Sequence, residues 1–455
     1  MLVRRMPLSG LEGVDIMGKI VTKFGGSSLS DANQFYKVKQ ILEMDERRVF
    51  VVPSAPGKRF PEDKKITDLL YQTHALMSEG KDTTETFSEI RKRYIDISND
   101  LAVKLPITQY LDVVFNDIQN GASADYCASR GEYLNGLILA DFLSFEFVDP
   151  KECIFFKEDG SFDSEKTNEV LAQKLNNVTN AVVPGFYGSM PDGSIRTFSR
   201  GGSDITGAIV ARAINAEVYE NWTDVSGFLM ADPRIVNNAK VMQFLSYREL
   251  RELSYMGATV LHEESVFPVQ RAGIPTNIRN TNAPLDKGTF IGRNFNDVKN
   301  PYTITGVAGK CGFSVLSIEK SMMNAERGFG RKVLQAIEEV GLPFEHLPTG
   351  IDTLCVVLST EELAPVREKV VSRIMDLASP DTLTIHDEMG IIATVGRGMV
   401  HNPGTAAKLF TALSRENVNV RMIDQGSSEL SILVGVNEED FERAISAIYH
   451  EFVKA

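Results

Sequence analysis

From Ile20 to about Asp297 short apolar, β-rich runs alternate with stretches of helical period. Ile20 and Val21 open a strand, and a helix is predicted to start near Asp31. The run from Arg48 to Ser54 reads as a buried strand ending in Pro and Ser, and Pro56 to Lys65 as a polar loop. Thr67 to Val103 reads as two helices broken near Gly80. Ser123 to Phe142 reads as one helix, with Leu134, Leu137, Ile138 and Phe142 at helical spacing. The spacing then predicts a strand from Phe145 to Val148, a helix from Glu165 to Leu175 and a strand from Ala181 to Phe186. A helix from Ser203 to Ile214 and a strand from Val218 to Trp222 follow. This alternation predicts an α/β fold, a mainly parallel sheet covered by helices on both faces. In such sheets ligands sit at the carboxyl ends of the strands.

After about Asn300 the pattern changes, and two segments repeat each other. Gly328 lies over Gly404, Val333 and Leu334 over Leu409 and Phe410, and Ile337 over Leu413. Leu354 to Leu358 lies over Leu430 to Val434 at the same offset. Each copy reads strand, loop, helix, strand, turn, strand, helix. Two copies are too few for a solenoid and predict a pair of small α+β modules packed together.

Composition narrows the class. The 455 residues suffice for two or three domains, and 43% hydrophobic with 24% charged residues is ordinary for a globular protein. A net charge of −13 argues against a nucleic-acid surface. Cys127, Cys153, Cys311 and Cys355 lie far apart and read as reduced thiols of a cytoplasmic protein. The six histidines are scattered, so no metal-ligand cluster is predicted. No apolar run is long enough to span a bilayer. Residues 1–16 carry Arg4 and Arg5 but no apolar segment of a secretory signal, and read as an extension outside the fold, before a natural start at Met17.

Four stretches carry candidate chemistry. Lys23-Phe24-Gly25-Gly26-Ser27-Ser28 sits between the first strand and first helix. Its glycine N–H groups can face an anion, or the pair is an ordinary tight turn. Its spacing matches neither G-x-x-x-x-G-K-[ST] nor G-x-G-x-x-G. Phe198 to Asp204 (FSRGGSD) places Arg200, Gly201 and Gly202 at a helix start, where free N–H groups and the dipole favour an anion. Capping by Ser203 or Asp204 alone would leave Arg200 unexplained. Trp222-Thr223-Asp224-Val225-Ser226-Gly227 with Asp232-Pro233-Arg234 suits either contacts to a nucleotide or a capped turn. Within the helix at Arg130-Gly131-Glu132, a glutamate on a buried face needs a partner.

Together these stretches resemble the aspartokinase family. The matching motifs are K-F-G-G-S-S (Lys23 to Ser28), S-A-P-G (Ser54 to Gly57) with a later threonine matched to Thr67, and R-G-E (Arg130 to Glu132). R-G-G-S-D (Arg200 to Asp204) and W-T-D-V-x-G followed by D-P-R (Trp222 to Arg234) complete the kinase set, and V-x-x-I-x-Q-G-S-S-E (Val420 to Glu429) is similar to the family's paired ACT modules. The resemblance implies an amino-acid-kinase domain at 17–298 and ferredoxin-like ACT modules at 311–385 and 386–455, the second completed by a strand at 302–310. It implies no fused homoserine dehydrogenase.

The implied activity is transfer of the ATP γ-phosphoryl to the β-carboxylate of L-aspartate, first step of lysine, threonine and methionine biosynthesis. A carboxylate is already ionised at neutral pH, so no general base is needed, and catalysis is positioning plus charge neutralisation. Lys23 would sit between acceptor and phosphates, with Asp204 orienting it or hydrated Mg²⁺. Arg200 would hold the substrate α-carboxylate and Glu132 its α-ammonium, with Ser54, Thr67 and Ser203 also on the substrate. Gly25, Gly26, Ser27, Gly201 and Gly202 would cradle phosphates. Thr223, Asp224, Phe228, Leu229, Arg234 and Thr259 would hold the rest of ATP. Many relatives have tyrosine where this chain has Leu229 and lysine where it has Thr259; Arg234 or the Lys58 to Lys65 loop is the candidate replacement. The rival readings are a non-catalytic amino-acid sensor on a kinase-like scaffold and a sister kinase for glutamate or an N-acylated amino acid.

The resemblance also implies feedback by an end-product amino acid and a homo-oligomer joined through ACT modules. The effector positions would be Met323, Arg327, Gly328, Phe329 and Gly330 at a helix start, with Phe344, Glu345 and Asp352 facing them. Two acids suit the second ammonium of lysine, which threonine lacks, so lysine is the expected effector.

Overall fold

The structure is a computed structural model. It describes residues 18–453 apart from Arg200, Thr259, Val260, His262, Asn294 and 296–300, and the side chains of Glu263 and Glu264. The extension at 1–16 lies outside the described residues. The chain divides into two compact units, one running to Asp224 and taking in Glu264–Leu285, the other formed by Val225–Glu263 and the chain from Asp286 onward.

In the first unit the strands lie in the order Glu146–Phe147, Ala181–Val182, Arg48–Pro53, Ile20–Phe24, Val218–Thr223, Thr276–Asn280. Every neighbouring pair among them is parallel. Strand Ile20–Phe24 is buried at all five positions and is the centre from which the chain leaves to one side and later returns to the other. The carboxyl end of that strand, at Lys23 and Phe24, is therefore a topological switch point, where such sheets bind ligands. Trp222 on the adjacent strand stacks on Phe24 with centroids 6.0 Å apart. Beneath it the buried Glu220 is satisfied by Arg48 at 2.8 Å, Arg279 at 3.3 Å and the Trp222 indole N–H at 2.9 Å.

Two features of this unit depart from the periodicity. The predicted strand from Ala181 to Phe186 pairs only over Ala181–Val182. Pro184 has no N–H for the ladder, and the chain turns into a separate hairpin, Tyr187–Ser189 with Ile195–Thr197. A helix at Ile107–Gln119, which the pattern reading did not assign, buries Leu111, Val114 and Ile118 in the core shared with Phe35, Phe87 and Ile138.

In the second unit a five-stranded antiparallel sheet runs in the order Thr353–Ser359, Gly306–Glu319, Thr382–Val395, Ser431–Asn437, Met422–Asp424. The two central strands are 14 residues each. Gly306–Lys310 pairs with Ile391–Val395, and Phe313–Glu319 pairs back along the same partner to Thr382, with register irregularities between Lys310 and Val315. One pair of helices, Phe329–Glu338 and Arg367–Ala378, packs together, and so does the pair Thr405–Arg415 and Phe441–Phe452. In the first copy the strand expected after the first helix is reduced to isolated bridges at His346 and Thr349. Helix Tyr247–Tyr255, started by a capping box of Ser246 and Glu249, lies against the two long strands, which explains why Val225–Glu263 groups with this unit. No helix among the described residues is long and apolar enough to cross a membrane.

Candidate active site

At the end of the central strand the Lys23 side chain is buried, and its Nζ lies 2.7 Å from Asp204 Oδ1. Asn221, its cross-strand neighbour, donates to the same Asp204 oxygen at 2.8 Å. Asp204 stands in the first turn of helix Gly202–Ala213, where the dipole favours a negative charge. The buried lysine thus has a counter-charge built on a neighbouring element before any ligand arrives.

The glycine turn after Lys23 corrects one expectation. The Gly25 N–H donates to the Trp222 carbonyl at 2.9 Å, because strand Val218–Thr223 lies alongside, so this group is not free for an anion. Gly26 and Ser27 open the short 3₁₀ turn Gly26–Leu29, and among the described residues their N–H groups have no acceptor. The Gly57 N–H donates to the Gly26 carbonyl at 2.8 Å. A Cβ on Gly57 would lie 2.6 Å from the Gly26 carbonyl carbon, so S-A-P-G needs its glycine for contact between two backbones. Gly57→Ala is expected to lower unfolding free energy by about 1–3 kcal/mol through overpacking. It should also reduce kcat/KM for ATP, since that Cβ would press on the turn that carries the Gly26 and Ser27 N–H groups; thermal unfolding and steady-state kinetics check both.

Helix Ala124–Leu143, capped by Ser123, brings Glu132 to the same place. Gly131 lets the loop in, since a Cβ there would lie 2.8 Å from Ala55 Cβ. Burial pushes the Glu132 carboxyl up to about 7, against the pull of the Ala55 N–H, the Lys23 charge and the Ser203 hydroxyl. Its Oε2 is buried and has no hydrogen-bond partner among the described residues. Lys23, Ser54, Thr67, Glu132, Ser203 and Asp204 all line one cavity of about 200 Å³, together with Gly201 and Gly202. A site with a buried cation, a carboxylate that keeps one oxygen without a partner, and a helix N-terminus can bind a zwitterion next to phosphate.

Sequence reasoning missed three contributors. Phe186 lines the cavity at φ +85°. Asn135 donates to the Ser54 carbonyl at 2.7 Å and fixes that loop. Its position three residues after Glu132, on the same helix face, was the available signal. Asn221 could have been read only from the strand pairing.

The remaining predicted residues divide. Arg200 and Thr259 lie outside the described residues. Thr223 ends its strand with its hydroxyl 3.2 Å from Asp224. In the second unit the Phe228 ring is fully buried, so of that pair only the half-buried Leu229 presents a side chain near the surface. Arg234 is 88% exposed and paired with Asp232 at 2.6 Å. In the loop proposed to replace a phosphate contact, Arg59 and Lys64 are already engaged by Asp63 at 2.8 Å and Glu89 at 2.9 Å.

Of the expected effector residues, Met323 and Phe329 are part of their module's core, which leaves only their backbone for a ligand. Gly328 starts helix Phe329–Glu338, with exposed Arg327 before it and Gly330 within its first turn. Phe344 and Asp352 are exposed, whereas the Glu345 carboxylate accepts a hydrogen bond from the Tyr255 hydroxyl. The two acids are therefore not equivalent.

A model of the amino acid kinase family matches residues 18–280, and an ACT domain model matches residues 392–452. Aspartokinase 3 of Bacillus subtilis (strain 168) is 38% identical over 452 residues, covering 95% of this chain and 98% of that protein. The crystal structure of Clostridium acetobutylicum aspartate kinase, described as an allosteric enzyme, superposes with a TM-score of 0.88 at 52% identity over 96% of this chain and 100% of that one. Aspartokinase III of E. coli, solved with aspartate and ADP, shares the fold with a TM-score of 0.70 at 24% identity, over 96% of this chain and 100% of that one. This chain belongs to the amino acid kinase family, as an aspartokinase with a C-terminal ACT region.

Proposed function

We propose that the cavity at Lys23 binds L-aspartate beside the phosphates of ATP and transfers the γ-phosphoryl to the β-carboxylate, giving 4-phospho-L-aspartate. The observation that carries this reading is the buried Glu132 Oε2, which has no hydrogen-bond partner among the described residues, in a side chain that lines the same 200 Å³ cavity as the Lys23–Asp204 pair. An α-ammonium supplies the missing partner, whereas an N-acylated substrate would leave the carboxylate unsatisfied. Arg200 takes the α-carboxylate, and Ser54, Thr67 and Ser203 orient the side chain of the substrate. Lys23 lies where negative charge gathers as the phosphoryl group passes between two oxygens. The N–H groups of Gly26, Ser27, Gly201 and Gly202 hold phosphate oxygens, and Thr223 and Asp224 hold the remainder of the nucleotide.

Among the described residues no group of three or more His, Cys, Asp or Glu could hold a metal, and Asp204 is the carboxylate paired with Lys23. That donor set fits Mg²⁺ bound chiefly by phosphate oxygens and water, with Asp204 as its protein anchor. When bound, Mg²⁺ neutralises charge on the phosphates.

The proposal includes a cytoplasmic homo-oligomer, a catalytic domain at 17–298 and ACT modules at 311–385 and 386–455, and lysine as the feedback effector on the first module. Its second ammonium would lie between Glu345 and Asp352, and its carboxylate at the Arg327–Gly330 helix start. A coupled assay of ADP release with aspartate, glutamate and N-acetylaspartate tests the activity; aspartate-independent release or preference for the acylated compound overturns it. In the same assay lysine should inhibit, through a coupling that shifts affinity about 5- to 150-fold, and Glu345→Ala and Asp352→Ala should each weaken that inhibition without changing uninhibited turnover. Inhibition by threonine but not lysine sinks the effector assignment.

A further inference from the structure

Helix Thr84–Asp100 buries Phe87, Ile90, Tyr94 and Ile97 at helical spacing. Arg93 stands on the same stripe, three residues after Ile90 and four before Ile97, and is buried with it. A guanidinium on a core face needs partners that offset its desolvation. The Arg93 Nη2 donates to both oxygens of Asp63, at 2.8 and 2.7 Å, and its Nη1 donates to the Gly57 carbonyl at 3.0 Å. One side chain thus ties the helix to two points of the loop that runs from Ser54 to Thr67.

That loop is a compact excursion. Its base is closed by the Ile66 N–H on the Pro56 carbonyl at 3.3 Å, and its tip is turned by the Asp63 N–H on the Phe60 carbonyl at 3.1 Å. The charge of Asp63 does not depend on Arg93. Arg59 already meets the same carboxylate through Nε at 2.8 Å, Nη2 at 3.1 Å and its backbone N–H at 3.0 Å. Arg59 belongs to the loop and closes it on itself, whereas Arg93 comes from another element. What Arg93 adds is the donor to the Gly57 carbonyl.

Gly57 is therefore clamped on both sides, its carbonyl by Arg93 and its N–H on the Gly26 carbonyl at 2.8 Å. The Gly26 carbonyl belongs to the 3₁₀ turn whose Gly26 and Ser27 N–H groups have no acceptor among the described residues. The neighbouring Tyr94 donates to the Gly131 carbonyl at 2.7 Å, in the helix that carries Glu132, so the platform presenting Arg93 is itself fixed to the site.

We propose that Arg93 is a positioning residue for the nucleotide: it acts through the Gly57 backbone to hold the Gly26–Ser27 turn where its N–H groups meet a phosphate. The proposal rests on the reading of that turn given above. Its effect is selective, because Ser54 has anchors of its own. The Ser54 N–H donates to the Phe24 carbonyl at 3.0 Å, and the Ser54 carbonyl accepts from Asn135 at 2.7 Å. Loss of Arg93 should loosen the nucleotide and spare aspartate.

The test compares full-length Arg93→Met and Arg93→Lys with the parent. Arg93→Met leaves Asp63 to Arg59, and Arg93→Lys keeps the charge but loses the fork. In both, the ADP dissociation constant from calorimetry and the KM for ATP should rise about tenfold, the usual effect of losing a hydrogen bond from a charged donor. The KM for aspartate and kcat should stay near those of the parent. A merely structural role would be rescued by lysine, or would lower kcat as the native fraction falls and leave each KM unchanged. Parental ADP affinity in either variant, or an equal rise in both KM values, overturns the proposal; Arg93→Lys decides it where Arg93→Met does not fold. ADP affinity is read without turnover. A parent that binds ADP but phosphorylates another acceptor therefore overturns the substrate assignment alone, and a parent that binds no ADP overturns the reading of the turn and this proposal with it.

Discussion

Lys23→Ala should lower kcat by about 10²–10³-fold with aspartate and ATP both saturating, the usual effect of removing one electrostatic contact to a transition state. The lysine is buried at the carboxyl end of the central strand and fixed by Asp204 at 2.7 Å. It therefore needs little reorganisation when charge develops beside it. In the variant Asp204 keeps the Asn221 amide at 2.8 Å, so the fold should survive. Thermal unfolding close to that of the parent, together with the loss in kcat, is the expected pair of results. A near-normal kcat would remove Lys23 from the chemistry. Asp204→Asn should cost less, since the lysine keeps its position on the strand but loses its counter-charge.

The second large effect concerns Glu132. Its carboxyl is pushed from 4.5 to about 7 by burial in the ligand-free protein. A carboxylate with a raised folded pKa binds more protons folded than unfolded, so it makes stability fall as pH rises from about 4.5 to about 7. Above that window the cost is fully present, and a shift of this size corresponds to roughly 3 kcal/mol. Glu132→Gln should therefore stabilise the ligand-free protein at pH 8 and flatten the dependence of its unfolding midpoint across that window. Binding runs the other way. The α-ammonium requires the ionised carboxylate, so the parent KM for aspartate should rise as pH falls below about 7. The Gln variant should lose that dependence and bind aspartate about 10²-fold more weakly, as expected for a buried charge without its partner. A KM for aspartate that is unchanged by the substitution would place the ammonium elsewhere.

Much of the site was legible because its chemistry is local. Lys23 with its glycines, Glu132 on a helical face, and Ser203 with Asp204 at a helix start can each be read in one stretch, and the cavity brings them together. What escaped is set by pairing between distant strands. That the Gly25 N–H is spent on Trp222 follows from strand Val218–Thr223 lying parallel to the first strand. Asn221 reaches Asp204 for the same reason. Hydrophobic spacing identified the helix bearing Glu132 but not helix Ile107–Gln119, whose apolar face faces the same core. Nor does local pattern show that Glu345 is held by Tyr255, from a helix 90 positions earlier in the chain.

The strand Thr382–Val395 has a mechanical consequence. Its first half pairs with Phe313–Glu319, and its last residues lead directly into the turn that carries Arg397. At about 3.3 Å per residue its two arms together span roughly 45 Å, and they meet at Glu388, whose φ of +58° bends the strand opposite the register break of its partner between Lys310 and Val315. A push on the Thr382 end would be taken up first at this bend, and only the remainder would reach Arg397. That irregularity would act as a clutch, and its stiffness would set how much of a movement in one module is felt by the next.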